Sequence, residues 1–392
     1  MKSQFRGFLF EAKHLTGLLA AAAFLYMGVG AVAQSKSTLS ALPPTPQAPK
    51  DNPTTPAKVA LGRLLFWDPL LSGPQDVACA SCHHPQNGYA EDRDLSLGVT
   101  AIGLGSKRRQ APGSSIPIVK RNSPTVVNIA FSGSDESGRY DPATAPMFWD
   151  LRVKSLEKQA LEPLKAHEEM RGTTYPEDEA LAKVVAKLQA NAEYRSLFAG
   201  AFGSEQPVNA ENLGRAIAAF ERTLLANNSP FDRYMRGDRS AMTEEQVSGM
   251  RRFESVGCVK CHNGPMFSDY KLHVMGVPDN PALPASDDGA QNTYAFRTPT
   301  LRNLTFTGPY EHNGMFRTLS DVVGFYEDAR GGRSRNPNVS SEKLDPLLRE
   351  LGDFDEEDVD LIEFLRALSD DSFDRTIPER VPSGLPVGGK IQ

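Results

Sequence analysis

The amino-acid sequence predicts a mostly α-helical protein built from two similar domains with long loops. Three observations predict this fold class. Apolar residues recur at helical spacing along several segments, few segments alternate apolar and polar residues as a half-buried strand would, and one short motif of cysteine and histidine occurs twice. The 32 glycines and 29 prolines among 392 residues predict many turns and loops between the helices.

Composition places the chain among ordinary globular proteins. Hydrophobic residues make up 40% and charged residues 23% of the sequence, so the chain can bury a core and is not disordered. Its length suits two domains of ordinary size. The formal net charge of −6 does not provide the basic surface that nucleic-acid binding requires, so no nucleic-acid partner is expected.

The N-terminus has the parts of a secretory signal peptide. Basic residues within 2–13 precede an apolar run over 15–33, which ends in Ala-Val-Ala, the small-residue pattern that signal peptidase cleaves. We therefore predict a signal peptide over 1–33 and no membrane attachment after its cleavage; the alternative is an uncleaved anchor helix. Residues 34–56, rich in Ser, Thr and Pro, are predicted to form a linker.

Helices are predicted in chain order over 178–198, 208–226 and 356–368. A further helix is predicted to begin after Thr243, because Thr243 and Gln246 have the spacing of a capping box, in which each side chain bonds the backbone N–H of the other. Polar residues and a proline interrupt the helical pattern over 228–242, and we place a domain boundary there.

The repeated motif uses all four cysteines of the chain. Residues 79–83 and 258–262 both have the pattern C-x-x-C-H, which attaches haem in c-type cytochromes. Two thiols at this spacing reach the two vinyl groups on one edge of a porphyrin, and the following histidine gives the iron its proximal nitrogen. The predicted haem-binding residues are therefore Cys79, Cys82, His83, Cys258, Cys261 and His262.

Two other uses of the cysteines are open. Paired C-x-x-C segments can form a zinc site, and an exported protein can form disulfides. Neither alternative explains why a histidine follows both pairs.

The residues before the two motifs are also similar, over 61–66 and over 249–253. We therefore predict two cytochrome c-like haem domains related by internal duplication. The first extends over 57–235 and the second over 236–392.

Further short motifs occur between and after the haem motifs: 122–125 (NSPT), 147–150 (MFWD), 297–303 (RTPTLRN) and 312–314 (HNG). In this order they resemble the bacterial di-haem cytochrome c peroxidase family, and within it the MauG-like branch, over about 57–370. The resemblance implies a periplasmic peroxidase-type oxidoreductase with two covalently bound haem c groups. Hydrogen peroxide would react at the first haem, in a peroxidatic N-terminal domain, and the C-terminal domain would be the electron-relay domain. The other partner would be a small periplasmic electron donor, a cytochrome c or a cupredoxin, or a protein substrate.

Three residues match family positions near the haems. Trp149 matches the tryptophan that lies between the haems and through which oxidising equivalents are shared; the alternative is an ordinary core tryptophan. Gln159 and Glu169 match the peroxide pocket, where an amide orients the peroxide and a carboxylate moves a proton between its oxygens. Without that match, Glu169 would be interpreted with Glu168 as a solvated pair.

The resemblance also implies one calcium ion between the haems. Its matching ligands are the side-chain oxygen of Asn122 and the backbone carbonyls of Thr307 and Pro309. These are hard oxygen ligands of the kind that Ca²⁺ prefers.

The axial ligand of the second haem separates two branches of the family. Tyr326 occupies the position of the axial methionine of the reductively activated peroxidases, as in MauG-like proteins, and a phenolate stabilises ferric and higher iron states. The alternative is a buried, non-ligating tyrosine and a methionine ligand; the candidates are Met266, Met275 and Met315.

The sequence offers no distal histidine for the first haem. No histidine occurs between His84 and His167, and His84 cannot reach the far face of a ring that its neighbour His83 ligates. The loop over 95–121 therefore leaves this iron open to peroxide without prior reduction. The alternatives are a peroxidase with reductive activation, a purely electron-transferring di-haem cytochrome, and a haem-based sensor, for which no output domain is visible.

Overall fold

The structure, a computed structural model, describes residues 38–203 and 205–392. The predicted signal peptide over 1–33 lies outside these residues, as do the first residues of the predicted linker. The described residues are mostly helical with little sheet, which confirms the predicted class. No helix among them has the length and apolar character needed to cross a bilayer.

The α-helices of the described residues are α1 (Pro56–Trp67), α2 (Leu156–Gln159), α3 (Ala180–Ala190), α4 (Ala192–Phe202), α5 (Ala210–Glu221), α6 (Pro230–Met235), α7 (Glu244–Ser255), α8 (Leu319–Arg330) and α9 (Val359–Ala367). The strands form antiparallel pairs: β1 (Ala101–Ile102) with β2 (Arg109–Gln110), β3 (Pro146–Met147) with β4 (Val153–Lys154), and β5 (Leu272–Val274) with β6 (Ala295–Arg297). Long loops connect these elements.

Capping side chains decide where the helices begin. Thr243 and Gln246 form the predicted capping box, with reciprocal side chain to backbone bonds of 3.1 and 3.2 Å, and α7 begins after it. The segment over 178–198 forms two helices instead of the single one predicted. The side chain of Asn191 accepts a bond from the N–H of Tyr194 and starts a new helix. The helical spacing of apolar residues therefore continues across Asn191, although the helix itself is interrupted there.

The predicted interruption over 228–242 contains the short helix α6. Ser229 caps it, and Asp232 in its first turn is buried against Arg302. Two residues of the predicted linker, Leu39 and Leu42, are also buried, so this part of the linker packs against the body of the protein. The boundary between the two predicted domains stays a prediction.

Helices α1 and α5 cross in direct backbone contact. The contact occurs at Gly62, where a Cβ atom would lie 2.0 Å from the carbonyl oxygen of Ala216. Leu61, Leu65 and Phe220 are fully buried around this crossing. The helix that precedes the first haem motif is therefore held against the core by a position that has room only for glycine.

Helices α7 and α9 cross in the same way. A Cβ atom at Gly249 would lie 1.8 Å from the carbonyl oxygen of Asp360. The rings of Phe253 and Phe364 pack edge to face beside the crossing, with their centroids 5.3 Å apart. Each C-x-x-C-H motif thus follows a helix that packs through a glycine.

The replacement Gly249→Ala should destabilise the protein by about 1–3 kcal/mol, because the added methyl group forces α7 and α9 apart. The matched control is Gly200→Ala in α4, where a Cβ atom would meet nothing within 4 Å. That control should be neutral or stabilise by up to about 1 kcal/mol, since alanine favours a helix more than glycine does. Urea unfolding measures both, and similar small effects would contradict the close crossing.

Candidate functional site

Each C-x-x-C-H motif forms one tight helical turn. The turns are Cys79–Ser81 and Cys258–Lys260. In both copies the backbone N–H of the histidine donates to the carbonyl of the first cysteine, at 2.9 Å for His83 and 2.9 Å for His262. The two thiols and the imidazole of each motif therefore lie on a single compact turn.

A second hydrogen bond orients each histidine ring. The Nδ1 of His83 bonds the carbonyl of Tyr89 at 3.1 Å, and the Nδ1 of His262 bonds the carbonyl of Phe267 at 3.0 Å. A carbonyl oxygen can only accept, so Nδ1 carries the proton and Nε2 has the free lone pair that a metal needs. Burial lowers the pKa of His262 to about 4 and also lowers the pKa of His83, so both rings are neutral.

The residues that provide these carbonyls share an uncommon backbone conformation. Tyr89 has φ +56° and Phe267 has φ +53°, in the left-handed region that bulky residues rarely adopt. Both side chains are fully buried, and their packing holds the conformation. Sequence reasoning missed both residues, because neither is a ligand and no pattern marks a positive φ at an aromatic residue.

The alternatives to haem attachment are not supported by the arrangement of the cysteines. All four are free thiols, and the two pairs belong to separate turns. In 38–203 and 205–392, the only ligand atoms grouped closely enough to hold a metal belong to Cys261, Asp269 and His273, so the four cysteines do not form a zinc site.

A large apolar cavity surrounds the second motif. Its empty space, including the part open to solvent, is about 1850 Å³. Both cysteines of the motif and His262 line it, and so does Tyr326 of α8. Apolar side chains complete the wall, among them Leu347, Leu348, Leu351, Leu361 and Leu365. Thiols, a neutral imidazole and an apolar wall fit a covalently attached porphyrin.

The cavity reduces the choice of axial ligands for the second haem. Tyr326 and Met275 line it and belong to the same apolar cluster. Met266 also lines the cavity but packs with Phe131, and Met315 is not among the lining residues. Burial, together with the nearby carboxylate of Glu311, raises the pKa of Tyr326 well above its usual range, so ligation by this phenol would have to release a proton.

Trp149 is a buried wall residue of the same cavity and is only 7% exposed. Its indole Nε1 donates to the carbonyl of Asn122 at 3.1 Å, and its own carbonyl accepts from the N–H of Arg297 at 2.7 Å. Trp149 therefore connects the segment after the first motif with the strand β6 that follows the second. The other tryptophan, Trp67, is a fully buried core residue.

The three residues matched to calcium ligands line this cavity together. The side-chain nitrogen of Asn122 donates to the carbonyl of Arg93 at 2.8 Å, which leaves the side-chain oxygen as the free acceptor. No hydrogen bond of the described residues ends on the carbonyl oxygens of Thr307 or Pro309. Oxygen atoms of this kind fit a calcium ion.

Glu169 lies near the first motif, in a wide helical turn over His167–Arg171. Burial raises the pKa of the thiols of Cys79 and Cys82, and carboxylates add to the rise: Glu221 at Cys79, Glu91 at Cys82, and Glu169 to a smaller extent at both. Gln159 ends α2, and its neighbour Ala160 belongs to the apolar cluster that Cys79 contacts.

The environment of Glu169 favours a proton-transfer role. Burial, and secondarily the charge of Glu168, raises the pKa of Glu169 to about 7. Its carbonyl accepts from the N–H of Val99 at 2.8 Å, and Gly98 packs directly on its backbone. The loop over 95–121, which contains no histidine, thus packs on the backbone of Glu169.

Arg108 shapes that loop, and sequence reasoning missed it. The side chain is 2% exposed and donates to the carbonyls of Leu97, Gly98 and Gly103 at 2.7, 2.9 and 2.9 Å. The loop over 95–121 contains three arginines, and nothing in the sequence distinguishes Arg108 from the other two, because its partners are backbone atoms.

Two motif turns with oriented histidines, and a cavity shared by a tryptophan and a tyrosine, define a haem-binding protein of the cytochrome type. A sequence model described as di-haem cytochrome c peroxidase matches residues 56–240. The chain belongs to this family, which is a family of haem-dependent peroxidases that contain two haems.

The relatives extend over most of the chain. "Cytochrome-c peroxidase IdrP1" of Pseudomonas sp. (strain SCT) is 34% identical, over 91% of this chain and 92% of the relative. "Methylamine utilization protein MauG" of Methylorubrum extorquens is 35% identical, over 84% and 83%. The crystal structure of a MauG-like protein associated with microbial copper homeostasis is 27% identical, with a TM-score of 0.66 over 84% of this chain and 94% of that one.

Proposed function

We propose that this protein is a periplasmic di-haem peroxidase of the MauG-like branch, with haem c attached at both motifs. The observation that carries the proposal is the pair of motif histidines, each held by a carbonyl with Nε2 free, one of them in a cavity that Tyr326 also lines. When bound, the haems supply the reaction with hydrogen peroxide at the first iron and the storage of oxidising equivalents at both.

Glu169 and Gln159 act on the peroxide at the first haem. A carboxylate with a pKa near 7 can accept a proton from one peroxide oxygen and return it to the other at neutral pH. The amide of Gln159 orients the peroxide for this transfer. Both residues precede α3 in the chain and belong to the half that carries the first motif.

Tyr326 and Trp149 act at the second haem. Tyr326 and His262, which line the same cavity, would hold the iron of the second haem, and Trp149 would pass electrons between the haems. The indole of Trp149 donates to the carbonyl of Asn122, and the backbone carbonyl of Trp149 accepts from the N–H of Arg297, so both its side chain and its backbone are held. A calcium ion held by Asn122, Thr307 and Pro309 would join the segment after the first motif to the segment after the second, because Asn122 belongs to the former and the other two ligands to the latter.

The branch of the family is assigned from Tyr326 and not from overall identity. The relative named as a cytochrome-c peroxidase and the one named MauG are 34% and 35% identical to this chain, so identity does not separate them. The signal peptide over 1–33 would export the chain, and the two haem domains would have arisen by duplication. A small cytochrome c, a cupredoxin or a protein substrate would supply electrons.

The mature protein should contain two haems that denaturation does not release, since both motifs are complete. Replacing Cys79 and Cys82 by Ala should remove the first haem and the reaction with peroxide. Replacing Cys258 and Cys261 should remove the second haem and leave the first attached. Mass spectrometry of the denatured protein counts the haems, and a wild-type count below two would refute covalent attachment at both motifs.

The replacement Glu169→Gln should slow the reaction with peroxide by about 10²–10⁴-fold, the usual cost of losing an acid–base group. In the wild type the rate should rise as the pH increases through about 7, because only the deprotonated carboxylate accepts the peroxide proton. The variant should lose this rise. The matched control is Glu168→Gln, and stopped-flow spectroscopy measures all three rates. A rate within a few-fold of wild type for Glu169→Gln, with intact haem spectra, would make Glu169 a structural carboxylate.

The fully ferric enzyme should react with peroxide without prior reduction, because no distal histidine blocks the first iron. Tyr326→His should keep both haems but abolish electron sharing between them, since a neutral imidazole stabilises oxidised iron less than a phenolate does. Met275→Leu should leave the spectrum of the second haem unchanged. Electron paramagnetic resonance before and after peroxide is the measurement. Thioether ligation that disappears in Met275→Leu, or a ferric enzyme inert until one electron is added, would assign the chain to the reductively activated branch.

A further inference from the structure

Besides the motif histidine His262, four side chains able to carry positive charge line the cavity around the second motif: Lys260, His273, Arg297 and Arg302. Three of them have carboxylate partners, which are Glu350 for Lys260, Asp269 and Asp345 for His273, and Asp232 for Arg302. Arg297 is the exception among the described residues, because no ion pair includes it.

Arg297 is nevertheless buried, with 9% of its surface exposed. Its Nη1 donates to the carbonyl of Pro146 at 3.2 Å, and its Nε is buried without a hydrogen-bond partner in the described residues. The negative charge of Asp150 attracts Arg297 without forming an ion pair with it, and Asp150 is itself ion-paired with Arg121 and Arg152. A buried guanidinium without an ion-pair partner is unfavourable, so an anion inside the cavity would stabilise Arg297.

The haem that fits this cavity brings such an anion with it. Haem has two propionate carboxylates on the edge away from the vinyl groups that the cysteines hold. The planar guanidinium of arginine matches a carboxylate better than any other side chain, because its N–H groups can form two parallel bonds.

We propose that Arg297 binds a propionate of the second haem and at the same time holds Trp149 beside that propionate. The backbone N–H of Arg297 donates to the carbonyl of Trp149 at 2.7 Å, so one residue joins the haem edge to the tryptophan of the relay. Its Nη1 bond to Pro146 fixes the start of the same segment. This is a positioning role: Arg297 determines where Trp149 lies relative to the haem and does not react itself.

The proposal rests on haem attachment at the second motif, but not on any reaction with peroxide. The test compares wild type with Arg297→Gln in the holoprotein. The propionate-bending band in the resonance Raman spectrum of the second haem should move to lower frequency, because the propionate loses its strongest hydrogen bonds. The midpoint potential of this haem should fall, because a nearby positive charge is lost and ferric iron is favoured.

Lys271→Gln is the matched control, since it removes one positive charge from a side chain that is 75% exposed and leaves the cavity unchanged. Lys271→Gln should leave the propionate band unchanged. It should shift the midpoint potential by only a small part of the shift seen in Arg297→Gln. Arg297→Lys covers the case in which Arg297→Gln does not fold. It keeps the charge but loses the paired N–H groups, so the band should still move while the potential stays near that of wild type.

An unmoved propionate band in a folded Arg297 variant that retains both covalent haems would overturn the proposal. So would a potential shift in Arg297→Gln no larger than in Lys271→Gln. If mass spectrometry shows that the wild-type protein lacks a covalent haem at the second motif, haem attachment there is refuted. This outcome is distinct from an unmoved propionate band in a protein that holds both haems, which refutes only the role of Arg297.

Discussion

The candidate haem sites depend on one hydrogen bond in each half of the chain, from Nδ1 of the motif histidine to a backbone carbonyl. The bond selects the tautomer and leaves Nε2 for the iron. Tyr89 and Phe267 both adopt a left-handed backbone, and the burial of their rings helps to stabilise this conformation. The orientation of a metal ligand is therefore determined by aromatic packing several residues away.

That packing depends in turn on two close helix crossings. Gly62 lets α1 approach α5, and Gly249 lets α7 approach α9, each at a distance that excludes a Cβ atom. The helices bring the motif turns against apolar cores in which Cys79 and Cys258 are contact residues. The same burial that places the thiols also raises the pKa of Glu169, so stability and the chemistry proposed for the first haem have a common physical origin.

Charge distribution distinguishes the second site from an ordinary apolar core. Its cationic side chains are neutralised by carboxylates with the exception of Arg297, and its tyrosine is kept protonated by burial and a nearby carboxylate. The unpaired arginine favours a group that brings its own anion, and ligation by the tyrosine would require a metal that displaces its proton. Family membership does not supply these details, because relatives named for different activities resemble the chain to nearly the same extent.

The sequence by itself determined the helical class, both attachment motifs and the family, because covalent attachment and helix capping depend on residues that are close in the chain. It did not predict the break at Asn191, where a single side chain outweighs a continuous helical pattern. Only the tertiary structure decided which distant residues share a cavity: Tyr326 with Met275 but not Met315, and Trp149 with Arg297. Contacts of this kind depend on how helices and loops pack, and the spacing of residues along the chain contains no record of that packing.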